Sequence, residues 1–178
     1  MRAAVFLCVA ALALSGCGLR PLYGGGSSGT VPSMLAAVQV APIEGQSGWL
    51  VSNALRDRLH AGDASPRYRL EIQLDDSIAG LGVRRDDSVA RERRTLRARY
   101  QLVDLASGAV VLDATAGSDA GIDVVGSEYA TIAAEKTALE RLSGIVADQI
   151  VARVARYARS GSGSAPAPAA APAGTAGQ

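Results

Sequence analysis

The sequence has very few of the side chains from which most enzyme and metal sites are built. Its 178 residues include one histidine, two cysteines and one lysine, and only 4% of the residues are aromatic. A core must therefore be made mainly from leucine, valine, isoleucine and alanine. The formal net charge of +1 gives no overall field that would attract nucleic acid, and few aromatic rings are available to stack on bases. We therefore predict no nucleic-acid partner.

The remaining reactive residues do not form a catalytic or metal-binding pattern. His60 lies in the last turn of a predicted helix, where an imidazole complements the negative end of the helix. The acidic pairs at 75–76 and 86–87 lack the alternating ligands and the bidentate glutamate of a calcium loop. The glycines at 80 and 82 do not lead from a strand into a helix, as a phosphate-binding loop does. Because no base is available to activate a serine or threonine, we predict a protein that is not an enzyme and has no metal or cofactor.

The apolar run at the start of the chain is too short to cross a bilayer. It extends from Ala3 to Leu14 after the basic Arg2, whereas a membrane helix needs about 20 apolar residues. This length is typical of a secretory signal peptide. The next residues, Leu-Ser-Gly-Cys at 14–17, resemble the lipobox of bacterial lipoproteins. The resemblance implies cleavage before Cys17 and a covalent lipid on its sulfur. The alternative is an ordinary signal peptide with a chance cysteine.

Cys17 would then be the only cysteine of the mature chain, because Cys8 is removed with the signal peptide. This excludes an intramolecular disulfide and a cysteine-based metal cluster. Two or three acyl chains, each contributing about 0.8 kcal/mol per buried CH₂, give stable anchoring where one chain would be marginal. The familiar inner-membrane retention signal of such proteins is an aspartate directly after the cysteine. Gly18 stands there instead, which favours the outer membrane.

Composition divides the chain into four parts. We predict a lipoprotein signal peptide at 1–16, a lipidated flexible tether at 17–33, one folded domain at 34–159 and a disordered tail at 160–178. The tether contains three consecutive glycines, which cannot contribute to a core. The tail consists mainly of serine, glycine, alanine and proline, without a charged or aromatic residue.

The folded part has the periodicities of four strands and two helices. Alternation predicts strands at 67–76 and 90–105, β-branched composition predicts strands at 35–43 and 109–117, and 77–88 is predicted to be a loop. A helix is predicted at 46–62, capped by Ser47, stopped by Gly62 and buried along Val51, Leu55 and Leu59. A second helix at 128–159 has its apolar stripe at Ile132, Leu139, Leu142, Val146, Ile150 and Val154. The order β-α-β-β-β-α predicts an α+β single domain, with a four-stranded, mostly antiparallel sheet and two helices packed on one face.

Arginines are concentrated in the middle of the chain. Seven fall between Arg84 and Arg99, accompanied by only three acidic residues. Alternation places Arg91, Arg93, Arg97 and Arg99 on one side of a strand, opposite Leu96, Ala98, Tyr100 and Leu102. Such a row is self-repelling unless it meets carboxylates or phosphates, which guanidinium groups bind in bidentate fashion. Two interpretations remain open: a solvated face with cross-strand partners such as Glu71, or a face that binds a partner or an anionic lipid.

The residues around Cys17 carry a family resemblance. The segment GCGLRPLYGG resembles the opening of LptE-type lipopolysaccharide-assembly lipoproteins, and VQVAPIEGQSGWLVSNALRDRL is similar to the first strand and helix of that family. The resemblance covers roughly residues 14–157 and includes the order of elements and the long last helix. The N-terminal motif is its sharpest part, and the tail lies outside it.

The resemblance implies a place and a role. Such proteins lie as a plug in the lumen of the LptD outer-membrane β-barrel and help the barrel to assemble. They also bind lipopolysaccharide through basic residues and assist its passage to the outer leaflet. It thus implies LptD and lipopolysaccharide as partners, beside the membrane itself. The candidate contacts with lipopolysaccharide or the barrel are Arg84, Arg85, Arg91, Arg93, Arg97 and Arg99, with Lys136 as a weaker candidate. An auxiliary lipoprotein of an ABC-type lipid-transport system is the alternative function.

Overall fold

The computed structural model describes residues 29–60, 65–83, 89–124 and 127–160. The described elements follow the order α-β-α-β-β-β-α. They are α1 (Thr30–Ala36), β1 (Val38–Val40), α2 (Gly45–Leu59), β2 (Tyr68–Val83), β3 (Val89–Asp104), β4 (Val110–Asp123) and α3 (Glu128–Ser160). The predicted α+β class is confirmed.

The four strands form one mixed sheet in the order β1-β2-β3-β4. The short β1 runs parallel to β2, while β2, β3 and β4 are mutually antiparallel. Long α3 packs on β3 and β4, and α2 packs against α3. The helices therefore lie on one side of the sheet, as predicted, and we call the opposite side the open face.

Alternation along β2 and β3 decides which side chains meet the helices. Tyr68, Leu70 and Ile72 are buried, as are Leu96, Ala98, Tyr100 and Leu102 of β3. The alternate residues between them, including all four predicted row arginines, are exposed or half-buried on the open face, except Val103, which is buried. The facing of both strands is thus confirmed, since a half-buried strand buries every second residue.

The long strands extend further than predicted. Residues 77–83, expected to be a loop, continue β2 and pair with β3 as far as Val83 opposite Val89. Strand β4 was expected to end at Gly117 but continues to Asp123, opposite Arg91. In both cases glycine and aspartate were interpreted as turn residues, whereas cross-strand pairing keeps them extended.

The N-terminal boundary of the folded part also differs from prediction. Residues 30–33 were assigned to the tether, but they begin α1, in which Val31 and Leu35 are buried. The first strand was expected over 35–43 and contains only Val38–Val40. The pair Val31 and Leu35 has helical i, i+4 spacing and packs α1 against α3, so this turn belongs to the core.

The ends and faces of the helices correct three details. Helix α2 begins at Gly45 after Glu44, so Ser47 is not its cap. It ends at Leu59 with His60 in the left-handed conformation, φ 49°, which stops the helix before Gly62. Ile132, predicted in the buried stripe of α3, is 55% exposed, while Thr131 beside it is buried. The other five predicted stripe residues are buried, as are Val51, Leu55 and Leu59 of α2.

Candidate functional site: an arginine row on the open face

Four arginines of β3 form one line along the open face. We call Arg91, Arg93, Arg97 and Arg99 the arginine row. Each side chain is exposed, because β3 turns its other parity towards α3 and the core. The row runs along the middle of the sheet, since β3 has β2 on one side and β4 on the other.

Three members of the row pair with aspartates of β4. Arg91 Nε donates to Asp123 Oδ1 at 2.9 Å, Arg99 Nη2 donates to Asp113 Oδ2 at 3.2 Å, and Arg93 Nε lies 4.0 Å from Asp119 Oδ2. We call Asp113, Asp119 and Asp123 the aspartate column. These side chains are 40–72% exposed, and exposed ion pairs typically contribute about 0–1 kcal/mol each. The pairs relieve repulsion within the row and are weak enough to exchange for contacts with a partner.

The expected partner Glu71 does not serve the row. Its carboxylate lies 2.6 Å from Arg69 Nη2 on the same strand, and its cross-strand neighbour is Gln101. The carboxylates that meet the row come instead from β4, whose register places Asp123 opposite Arg91 and Asp113 opposite Gln101. Three of the four arginines therefore have cross-strand partners, which are aspartates of β4 and not Glu71.

Within the described part of the chain, Arg97 is the member of the row without a carboxylate partner. Among the described residues it forms no hydrogen bond and no salt bridge within 4.0 Å, although Asp75 is its Cα partner on β2. Its side chain lies over Gly117, where an added β-carbon would be 2.6 Å from Arg97 Cδ. Arg97 also lines a shallow groove of about 640 Å³ with Gln73, Asp75, Arg99, Thr115 and Gly117. The groove thus combines the Arg97 guanidinium, a group that binds phosphate or carboxylate, with hydroxyl and amide groups and with the carboxylate of Asp75.

Asp113 accepts two hydrogen bonds beside Arg99 on the open face. Gln101 Nε2 donates at 3.0 Å and Arg99 Nη2 donates at 3.2 Å to the same carboxylate oxygen. Donation from Gln101, and then from Arg99, lowers the pKa of Asp113 below its ordinary value. The carboxylate is therefore held in its charged form beside the arginine row.

Arg94, inside the same sequence cluster, faces the helices and not the open face. Its guanidinium donates twice to Asp76 of β2, at 2.8 and 2.7 Å, and once to the carbonyl oxygen of Glu135 in α3 at 3.1 Å. The side chains of Arg94 and Asp76 are only 13% and 18% exposed. Hydrogen bonding to Asp76 raises the pKa of Arg94. These hydrogen bonds connect β2 and β3 to α3.

Several predicted site residues fall elsewhere. Cys17, Arg84 and Arg85 lie outside the described residues, so their roles stay predictions. Lys136 is exposed on α3, away from the row on β3. His60 Nδ1 lies 3.0 Å from the carbonyl oxygen of Arg58 at the end of α2. The described part of the chain contains no group of three potential metal ligands and no helix long and apolar enough to cross a membrane.

The sequence profile of the LptE family, described as lipopolysaccharide-assembly, matches residues 35–154. This match covers the whole sheet, α2 and most of α3. The chain belongs to the LptE family. Membership in the LptE family gives it a role in lipopolysaccharide assembly. No protein with a curated description matches it by sequence.

Solved lipoprotein structures have the same fold as this LptE-family chain. A lipoprotein from Caulobacter crescentus is similar, with 25% sequence identity, a TM-score of 0.60, and coverage of 74% of this chain and 97% of that one. A minor lipoprotein from Acinetobacter baumannii has 12% identity and a TM-score of 0.53, covering 67% and 88%. The rare lipoprotein B of Shewanella oneidensis has 12% identity and a TM-score of 0.51, covering 67% and 92%. At 12% identity the likeness shows the fold alone.

Proposed function

We propose that this LptE-family chain is an outer-membrane lipoprotein, anchored through lipid on Cys17, that plugs the lumen of an LptD-type barrel. In this role it helps the barrel to assemble and assists the insertion of lipopolysaccharide into the outer leaflet, without catalysing a reaction. Family membership supports the lipopolysaccharide-assembly part of this role. The signal-peptide and lipobox residues at 1–17 support the anchor.

The observation that carries the plug proposal is the charged open face. This face carries charged side chains of both signs along three neighbouring strands. The lumens of outer-membrane barrels are lined with polar groups. The arginine row and the aspartate column present both signs of charge on exposed side chains. The open face can therefore form polar contacts with the lining of a barrel lumen.

Arg97 is the candidate contact with lipopolysaccharide. The three other row arginines are matched by the aspartate column, whereas Arg97 has no carboxylate within 4.0 Å among the described residues and borders the groove. A guanidinium binds phosphate in a planar, bidentate geometry. We therefore assign the groove beside Arg97 to phosphate groups of the transported lipid and the paired arginines to the barrel wall.

Copurification tests this function with two variants of equal charge change. In the row variant, Arg91, Arg93, Arg97 and Arg99 are all changed to Gln. In the control, Arg56, Arg67, Arg141 and Arg159, which are exposed and lie outside β3 and β4, are changed to Gln. The tagged chain is extracted in detergent and the barrel recovered with it is quantified. We expect stoichiometric barrel with the wild type and the control and much less with the row variant. Recovery of an inner-membrane transporter would instead support the alternative lipid-transport function.

The anchor has its own test. Cys17→Ala should abolish fatty-acid labelling and leave an uncleaved precursor, because the lipidated sulfur is required before cleavage of a lipobox. Cys8→Ala is the matched control and should label normally, since that residue belongs to the signal peptide. Normal labelling of the Cys17 variant would refute the lipoprotein assignment.

A further inference from the structure

The outer edge of β4 is an open pairing surface. Strand β4 lies at the end of the sheet and has 14 residues, all of them described. It contains neither proline nor lysine, and its pairing with β3 is regular from Leu112 to Asp123. Proteins usually blunt such edges with charged side chains, above all lysine, or with proline, bulges, short strands or a covering helix or loop. On β4 these devices are limited to the aspartate column and one contact from α3, and such a long, regular edge is suited to accept another strand.

One side chain already bonds to this edge. Gly117 N–H donates to Gln149 Oε1 at 3.0 Å, and Gln149 Nε2 donates to the Gly117 carbonyl oxygen at 3.3 Å. The amide of Gln149, which projects from α3, thus makes both bonds that a neighbouring strand would make. Because alternate residues of a strand direct their backbone groups to the same side, residues 113, 115, 119, 121 and 123 also direct theirs to the edge. Among the described residues, these groups have no hydrogen-bond partner.

Charge on the open face indicates which strand would fit. Across the sheet the columns alternate in sign: Glu71 and Asp75 on β2, the arginine row on β3, and the aspartate column on β4. Arg69 at the far end of β2 is an exception, and it is paired with Glu71. A strand added beyond β4 would continue this alternation of charge if its side chains on the open face were basic. Opposite charges on neighbouring strands stabilise pairing, while like charges oppose it.

The helix side of the β4 edge determines which side chains of an added strand could point towards α3. A cleft of about 540 Å³ separates β4 from α3 and is lined by Ala114, Thr115, Gln149, Arg153 and Arg156. Asp113 also lines this cleft, but the two arginines outnumber its single charge, so uncharged side chains fit there better than basic ones. A second copy of this chain fits poorly, because pairing β4 with β4 would bring two aspartate columns together.

We infer that the β4 edge binds an extended segment of a partner protein, with lysine or arginine at alternate positions, by adding it to the sheet as a fifth strand. The basic side chains meet Asp113, Asp119 and Asp123, and uncharged side chains enter the cleft beside α3. Gln149 occupies the centre of the edge until the segment displaces it. This site lies beside the arginine row and does not depend on the proposed plug function.

The probe is a nine-residue peptide of alternating arginine and valine, matching the length from Asp113 to Gly121. Binding to the full chain in detergent is measured by calorimetry at about 0.15 M salt, where exposed charges are largely screened beyond about 8 Å. Two control peptides carry glutamate for arginine, or N-methyl groups on the N–H groups that face β4. Since a backbone hydrogen bond contributes about 1 kcal/mol, losing several should weaken binding about tenfold or more. Equal binding of the N-methylated peptide, equal binding of the acidic peptide, or no binding of the basic peptide overturns the inference.

Two variants at one position isolate the backbone contribution. Thr115→Pro removes an N–H that faces the edge and leaves the pairing with β3 intact, whereas Thr115→Ala keeps that N–H. We expect the proline variant to bind the basic peptide at least about tenfold more weakly than the alanine variant. Gln149→Ala should bind about three- to tenfold more tightly, because an intramolecular competitor is gone. Equal binding by the two Thr115 variants overturns the inference. So does self-association of the free chain that Thr115→Pro abolishes, because the occupant is then a second copy.

Discussion

Arg97 lies across Gly117, its Cα partner on the neighbouring strand, so closely that a β-carbon at Gly117 would be 2.6 Å from Arg97 Cδ. Gly117 was predicted to end the strand. Because it has no side chain, it leaves the space in which the Arg97 side chain lies on the open face. At Gly121, the corresponding glycine opposite Arg93, an added β-carbon would meet nothing within 4 Å.

We therefore predict that Gly117→Ala is destabilising and that Gly121→Ala is not. Crowding Arg97 should reduce the free energy of unfolding by about 1 kcal/mol, at the low end for overpacking, because a long side chain can move. In urea unfolding, Gly117→Ala combined with Arg97→Ala should recover most of the loss, although the Leu96 carbonyl oxygen at 3.0 Å remains close. Additive effects in this double-mutant cycle would contradict the contact.

The contact between Arg94 and Asp76 should matter more for stability than any pair on the open face. Asp76→Ala leaves a mostly buried guanidinium with only the Glu135 carbonyl oxygen, and we expect a loss of about 2–4 kcal/mol. Removing both charges with Asp76→Leu and Arg94→Met should recover much of this. The matched exposed change, Asp123→Ala, should cost about 0–1 kcal/mol. Chemical denaturation measures all three, and equal losses for Asp76→Ala and Asp123→Ala would refute the ranking.

Gly48 lies against the backbone that enters α2. A β-carbon there would be 2.6 Å from the Ile43 carbonyl oxygen and 2.8 Å from its carbonyl carbon. Backbone atoms cannot move away as a side chain can, so Gly48→Ala should lower stability by about 1–3 kcal/mol. Gly45→Ala is no control, because Gly45 has a positive φ of 80°. Gly144→Ala in α3 is better, since its nearest neighbour, Arg58 Nη2, is 3.6 Å away; thermal melting should show it unchanged or stabilised.

Asp113 should make the fold more sensitive to acid. Its pKa is lowered in the folded chain by hydrogen bonds from Gln101 and then Arg99, while an unfolded aspartate has a pKa of about 3.9. The folded state therefore holds this proton less tightly, and its stabilising contribution is present above about pH 4 and lost as the pH falls through the folded pKa. In an NMR titration the Asp113 carboxyl should titrate below a free aspartate, and Gln101→Leu should raise its midpoint. A wild-type midpoint at or above that of free aspartate would contradict these contacts.

The sequence predicted what depends on local periodicity and missed what depends on contacts between distant segments. Alternation was enough to place the arginine row on the side opposite Leu96, Ala98 and Tyr100, because burial of these apolar residues leaves the alternate residues on the exposed side of the strand. The partners of the arginine row could not be predicted, because neither strand's sequence alone determines the register in which β3 pairs with β4. Asp119 and Asp123 lay beyond the predicted end of the strand at Gly117, because glycine and aspartate were interpreted as turn residues.

The helices show the same limit. Leu139 to Val154 follow one apolar stripe, but Ile132 at the start of α3 is exposed because the buried side of this long helix changes along its length, from Thr131 to Ala155 and Ala158. The C-terminal half packs against α1 and α2 as well as the sheet. Helix α1 was missed, because the glycines and proline before Met34 led to the prediction of a tether, and Leu35 was assigned to the first strand.

Site-specific photocrosslinking tests the central claim, that the open face contacts an outer-membrane barrel, most directly. A photoreactive residue is placed at Arg69 or Ser77, both exposed on the open face outside the groove beside Arg97, or at Glu140, which is exposed on α3. Crosslinks are then identified in cells by mass spectrometry. We predict that the two open-face positions crosslink to the LptD-type barrel and that Glu140 does so much less. Crosslinks to the barrel from Glu140 alone, or from the open face only to a different protein, would contradict it.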